Sequence, residues 1–276
     1  MSRTGTAMEI TTMKLIEGVD LAPFARTQWK DAESRREWEP ILKRAVQAYN
    51  AAELETVRQG MRRCTTQHFN PNTMTEDIKR LKGLAFLPIQ RVGVYQGFAH
   101  KHPAVVQDKP WNYYGVVGKT AEDAWAFVDA TQKGDHRAMG DLLGYPKCCQ
   151  EFFSTVWMEG FIDPVWQAAA ATEGAQIDGQ TVRIPSSATF DGLRYVGVRM
   201  VPHLPCSFSC EGSGEMAEKW SLLEGMDTTL KLLSLPIQWS CLNGIAVVET
   251  PYFRIATNSN PCYPKCVVEM GCSTQS

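Results

Sequence analysis

The chain has 276 residues and contains no apolar run long enough to cross a membrane and no block of basic side chains. The first absence argues against a membrane span, and the second, with a net charge of −2, argues against a nucleic-acid partner, which needs a positive surface to track phosphates. Met1 to Asp20 holds no hydrophobic core of the kind a secretory signal requires. Internal repeats and low-complexity linkers are missing too. So is the paired C-x2-C knuckle of zinc ribbons. Nine cysteines is an odd number and cannot complete a disulfide framework, so the thiols are read as reduced and the compartment as cytoplasmic.

A chain this long can bury a real core, so it does not need a metal merely to fold. Apolar residues at threes and fours from Arg35 to Arg63 predict a long amphipathic helix with Pro40 in its first turn. A shorter helix is expected at Thr75–Gly83. Strands are expected at Arg91–Phe98, Tyr113–Gly118, Thr181–Ile184, Tyr195–Val201 and Phe253–Thr257. Thr120 and Asp135 read as N-caps, Ala168–Glu173 as helix, and Met216–Leu235 as one helix. Asn243-Gly244 between Ile237–Leu242 and Ile245–Glu249 marks a hairpin. The resulting class is α+β: a mixed or antiparallel sheet with several packed helices, one domain with an N-terminal helical extension. Residues 1–110 form that extension, with an irregular arm before the long helix. Residues 111–258 form the cysteine-motif core, and 259–276 an irregular cysteine-rich tail.

Chemistry concentrates in two motifs: Gly144-Tyr145-Pro146-Lys147-Cys148-Cys149-Gln150-Glu151-Phe152-Phe153, and His203-Leu204-Pro205-Cys206-Ser207-Phe208-Ser209-Cys210. Pro146 suits a helix start, which places Cys148 and Cys149 in a first turn where free N–H groups favour thiolate. The expected Tyr195–Val201 strand would feed the second motif. Alone, the first pair is equally well read as small buried core residues, and the second has a weaker rival reading as incidental loop thiols. Together, four convergent thiols point to a soft metal ion, an iron–sulfur cluster or redox chemistry. Neighbouring helical cysteines diverge by about 100°. That divergence suits the separated corners of a [4Fe-4S] cube, with zinc as the alternative cofactor. The third cysteine of a C-x3-C-x2-C loop is replaced by Ser213, which disfavours radical chemistry on S-adenosylmethionine.

His203 is the protonable neighbour, read as a proton carrier or as a residue simply hydrogen-bonded in its loop. In the tail, Cys262, Cys266 and Cys272 are read either as sulfur-relaying thiols, with Cys272 in a catalytic role, or as incidental. Cys64 and Cys241 are expected in the core. Residues 115–120 imitate a Walker loop but lack its first glycine, since position 113 is not one. His100 and His102 flank a turn.

The stretches Leu143–Phe153, His203–Cys210 and Leu235–Phe253 resemble an uncharacterised archaeal and bacterial group, domain-of-unknown-function family 483. That resemblance covers roughly the C-terminal half. It implies that Cys148, Cys149, Cys206 and Cys210 act as a unit and carries no activity with it. The functional expectation is an iron–sulfur enzyme acting on a small molecule, in sulfur transfer or a redox step of biosynthesis, served by a protein sulfur or electron donor. Its rivals are a non-catalytic zinc or iron–sulfur interaction module and a thiol–disulfide oxidoreductase.

Overall fold

A computed structural model describes residues 23–95, 102–262 and 264–271. β1 (Ala25–Trp29) leads to Asp31, whose carboxylate accepts the Ser34 N–H at 2.7 Å and starts α1 (Ala32–Arg58). This start is three residues earlier than the pattern predicts, so Pro40 lies inside the helix and not in its first turn. The missing N–H leaves one helical bond unmade there. The cost is offset by the buried stripe of Trp38, Ile41, Ala45, Ala48, Tyr49 and Ala52.

Next come β2 (Cys64–Phe69), α2 (Met74–Arg80), β3 (Ala85–Gly93) and β4 (Trp111–Gly118). The third strand starts six residues before the expected Arg91–Phe98, of which 96–98 lie outside the described residues. These strands form an antiparallel sheet in the order β2-β4-β3. Thr120 caps α3 (Ala121–Lys133) and Asp135 caps α4 (His136–Leu142), each accepting a backbone N–H three residues on. α5 (Lys147–Phe152) runs directly into a π-helical turn, Phe153–Glu159. There the Ser154 and Thr155 hydroxyls bond back to the carbonyls of Gln150 and Glu151, competing for the acceptors of regular α-helix.

α6 (Val165–Ala170), β5 (Gln176–Asp178) and β6 (Thr181–Ile184) follow. Residues 195–201 do not form the expected strand. They begin in a 3-10 turn, Arg194–Val196, that ends at left-handed Gly197 and continues irregularly. Left-handed Gly197 interrupts any extended run there, and Arg194 and Tyr195 on its near side both bond Asp163, while Tyr195, Val198, Met200 and Val201 are all enclosed.

The expected single helix over 216–235 is two, α7 (Glu211–Ser221) and α8 (Met226–Leu233), broken at left-handed Gly225. β7 (Ile237–Leu242) and β8 (Ile245–Glu249) form the hairpin, with Asn243 and Gly244 both at positive φ as a tight two-residue turn requires. β9 (Phe253–Asn258) and β10 (Cys266–Met270) complete a seven-stranded sheet in the order β1-β9-β8-β7-β10-β6-β5. Only its β10–β6 pair is parallel. The fold class is α+β with one mixed and one antiparallel sheet, as expected.

Two irregular segments of the sequence reading prove to be strands. β1 pairs with β9, and β10 lies inside the sheet between β7 and β6. Strand pairing therefore links residues on either side of position 110 (β3 with β4) and of position 258 (β10 with β7). The main core lies between α1, α7 and α8 and the inward side chains of the large sheet, including Trp220, Leu232, Ile237, Trp239, Ile255 and Val268. Among the described residues no helix is long and apolar enough to cross a membrane.

Candidate metal centre and adjoining cavity

Left-handed Gly144 turns the chain out of α4, and Pro146 then caps α5, so Cys148 and Cys149 fall in its first turn. From the other side, the irregular 197–210 segment brings Cys206 in and makes Cys210 the N-cap of α7. The two helix starts meet closely: a Cβ on Gly212 would lie 3.0 Å from Pro146 Cβ. As a result the four sulfur atoms lie within 4.8 Å of one another. Cys210 Sγ is 3.6 Å from Cys148 Sγ and 3.7 Å from Cys149 Sγ. Neighbouring positions on a helix thus reach one point, contrary to the expected divergence, because Cys210 sits between them. A group of four thiols this close could hold a metal ion.

Burial grades the site. Cys149 is buried, Cys206 and Cys210 are half-buried, and Cys148 is exposed. Burial pushes the Cys149 thiol up to about 12, although the Ser213 hydroxyl and the Cys206 N–H, 3.4 Å from the sulfur, oppose this. At Cys149 desolvation therefore outweighs the helix start that was expected to favour thiolate. Cys206 also rises, through burial and its thiol neighbours. Cys210 behaves oppositely. Burial raises it, but hydrogen bonds from the Ser213 hydroxyl and backbone, then from Cys148 and Cys149, bring it down to about 7.

His203 is buried at 6% exposure, and its Nε2 lies 2.8 Å from Ser213 Oγ, which in turn lies 3.4 Å from Cys149 Sγ. Its ring packs on Tyr145 at 5.2 Å. Burial, with Arg199 and Arg62 nearby, pushes its pKa down to about 3, so the ring is neutral. Sequence spacing had pointed at Ser213 only as a missing cysteine. The structure gives it the link between thiol and imidazole.

Beside Cys149 and His203 opens a cavity of about 280 Å³ walled by Tyr114, Phe127, Tyr145 and Phe153. Besides Thr66, His136, Arg137 and Ser154, two further polar residues line it, Gln150 and Arg199. Neither was singled out from sequence: Gln150 lies inside the first motif, and Arg199 lies in the segment misread as a strand. A larger, open cleft of about 830 Å³ shares Thr66, Tyr145, Arg199 and Pro202 with this cavity.

The remaining cysteines lie apart from this centre. Cys64 and Cys241 are buried core residues, as expected. Cys262 and Cys266 are joined in a disulfide, which overturns the reading of all nine cysteines as reduced and removes two thiols from the expected relay. Cys272 and His100 lie outside the described residues, and His102 packs against His68 and Tyr114. Comparison of the chain with protein-family models, curated proteins and solved structures returned no match.

Proposed function

We propose that Cys148, Cys149, Cys206 and Cys210 hold a metal centre serving a small-molecule site in the adjoining cavity. The observation that carries this reading is the mutual spacing of the sulfur atoms, all within 4.8 Å. Thiolates bound tetrahedrally at about 2.3 Å from one zinc-like ion stand about 3.8 Å apart. Thiolates on the four corners of an iron–sulfur cube stand roughly 6 Å apart. The 3.6 and 3.7 Å separations match the single ion. Four thiolates close such an ion to substrate, so its work is to fix Cys149, Ser213 and His203 beside the cavity. Chemistry on the bound molecule then falls to the cavity residues.

A [4Fe-4S] cube is the second reading, favoured by the exposure of Cys148 and the half-burial of Cys206 and Cys210, three thiols with room to spread. It brings the need for an electron or sulfur donor protein. The resemblance to domain-of-unknown-function family 483 is part of this proposal, as the group in which the same four thiols act together.

Anaerobic purification with metal and acid-labile sulfide analysis separates the readings. One zinc per chain without sulfide, lost on Cys→Ser substitution at each of the four positions, is the expected result. Iron and sulfide in near-equal amounts establish the cube instead. A protein that takes up neither, even on reconstitution, refutes the metal centre and leaves thiol redox chemistry.

A further inference from the structure

Three residues that line the cavity each carry a buried polar atom with no hydrogen bond among the described residues: Gln150 Oε1, Arg199 Nε and His203 Nδ1. An unsatisfied buried polar atom costs about 1–3 kcal/mol, so three on one small cavity call for a partner that the chain itself does not supply.

Their hydrogen-bonding character can be worked out. The Gln150 Nε2 group donates to Asp141 Oδ1 at 2.9 Å and to the Tyr145 carbonyl at 2.8 Å. Both partners are acceptors, so the amide cannot be turned round, and Oε1 is the acceptor left open. Arg199 Nε is a donor only. His203 follows from its chain of contacts. The metal-bound Cys149 and Cys210 thiolates can only accept, so the single Ser213 hydroxyl proton goes to this pair, and Ser213 Oγ accepts from His203 Nε2–H. Nδ1 of the neutral ring then carries a lone pair.

Charge narrows the choice further. Arg199 forms no ion pair among the described residues, and one face of its guanidinium lies 4.7 Å from the centre of the Tyr49 ring. The neighbouring carboxylate, Glu53, is already engaged by Arg62 at 2.9 Å and by the hydroxyls of Tyr49 and Thr65. A half-buried arginine without a salt bridge favours an anion. The four aromatic walls favour a flat molecule, and 280 Å³ at about 20 Å³ per close-packed atom admits roughly a dozen non-hydrogen atoms.

We propose that the cavity binds a small, flat organic acid carrying an N–H or O–H group, its acid on Arg199 and its donor on His203 Nδ1 and Gln150 Oε1. The His203 contact rests on the metal-centre reading, because that fixes the tautomer. The Arg199 contact does not.

The three isomers of aminobenzoate serve as probes, each compared with its amide and with unsubstituted benzoate, by calorimetry on the full chain with metal content measured on the same samples. At least one aminobenzoate is expected to bind tenfold or more tightly than both its amide and benzoate. Arg199→Met should abolish the preference for acid over amide. If that variant fails to fold, Arg199→Lys should retain a reduced preference. Equal binding of acid and amide, no binding of any isomer, or an unchanged preference in Arg199→Met overturns the proposal. Protein that takes up no metal even on reconstitution and still prefers the acid refutes the metal centre while upholding the anion contact. Metal-loaded protein indifferent to the acid refutes the anion site alone.

Discussion

Asp163 is completely buried, and its Oδ2 accepts from Arg194 Nη2 at 2.7 Å and from the Tyr195 hydroxyl at 2.8 Å, while Ser259 also bonds it. Trp239 Nε1 donates to the same tyrosine at 3.0 Å, which ties the strand β7 to this network. Arg194 also pairs with Asp191 at 3.4 Å, so one guanidinium holds two enclosed carboxylates. Arg194→Met should therefore destabilise the protein by about 3–5 kcal/mol, since it strands both charges, and a chemical denaturation midpoint at neutral pH reads the loss. A change below 1 kcal/mol would show that water reaches the pair. Burial, against the pull of Arg194 and with the push of Asp163, raises Asp191 from 3.8 to about 6. The folded state thus binds this proton more tightly than the unfolded chain. The stabilising contribution is complete below about pH 4 and is lost as pH rises through 6. Asp191→Asn should flatten the stability profile between pH 4 and 6 relative to wild type. An identical slope in the two proteins refutes the assignment. No periodicity in the sequence signals this network, because Asp163 and Asp191 meet Arg194 only through irregular segments.

At the scale of elements, the site depends on how two helix starts approach, and Gly212 is the spacer. Its absent Cβ would stand 3.0 and 3.1 Å from Pro146 Cβ and Cγ, closer than a rigid proline ring accommodates. Gly212→Val should push α7 away from α5, separating Cys210 from Cys148 and Cys149. The expected outcome is at least a tenfold loss of metal affinity in chelator competition, with about 1–3 kcal/mol of destabilisation. Gly214 is the matched control: nothing lies within 4 Å of its would-be Cβ, and Gly214→Ala should be neutral or stabilising by up to about 1 kcal/mol. Tight metal binding in Gly212→Val would show that this approach does not set the thiol geometry. Three helix starts were legible, since Thr120, Asp135 and Pro146 carry their own chemical signals, whereas α7 begins at Glu211, five residues before the expected Met216. Where a helix stops was harder to read. Leu222, Leu223 and Met226 keep helical spacing across the break before α8, yet Leu222 is 84% exposed and Gly225 turns left-handed where a Cβ would lie 2.9 Å from Ala48 Cβ. Gly225 was the available signal, and apolar spacing masked it.

At the scale of the whole molecule, the four convergent thiols could be named from sequence because each sits in a short motif. Pairing between distant strands could not, because a five-residue strand such as β10 shows only that it alternates and not what it adjoins. Cys266, Val268 and Met270 face inward, and β10 pairs antiparallel with β7 on one side and parallel with β6 on the other. Removing β10 therefore detaches β6 and β5 from the sheet and leaves one edge of β7 unpaired. At one end of the sheet, β1 is an edge strand that among the described strands pairs only with β9. Two truncations test this asymmetry. A chain ending at residue 261 should lose cooperative unfolding altogether, seen as the absence of a thermal transition by circular dichroism. A chain beginning at residue 31 should keep a cooperative transition at lower temperature, since it sacrifices one edge and leaves the helix cap at Asp31 in place. Cooperative unfolding of the C-terminally shortened protein would mean that the last strand is an attachment to a sheet already complete without it. The thiol centre would then have to be regarded as resting on a smaller core than the seven strands described above.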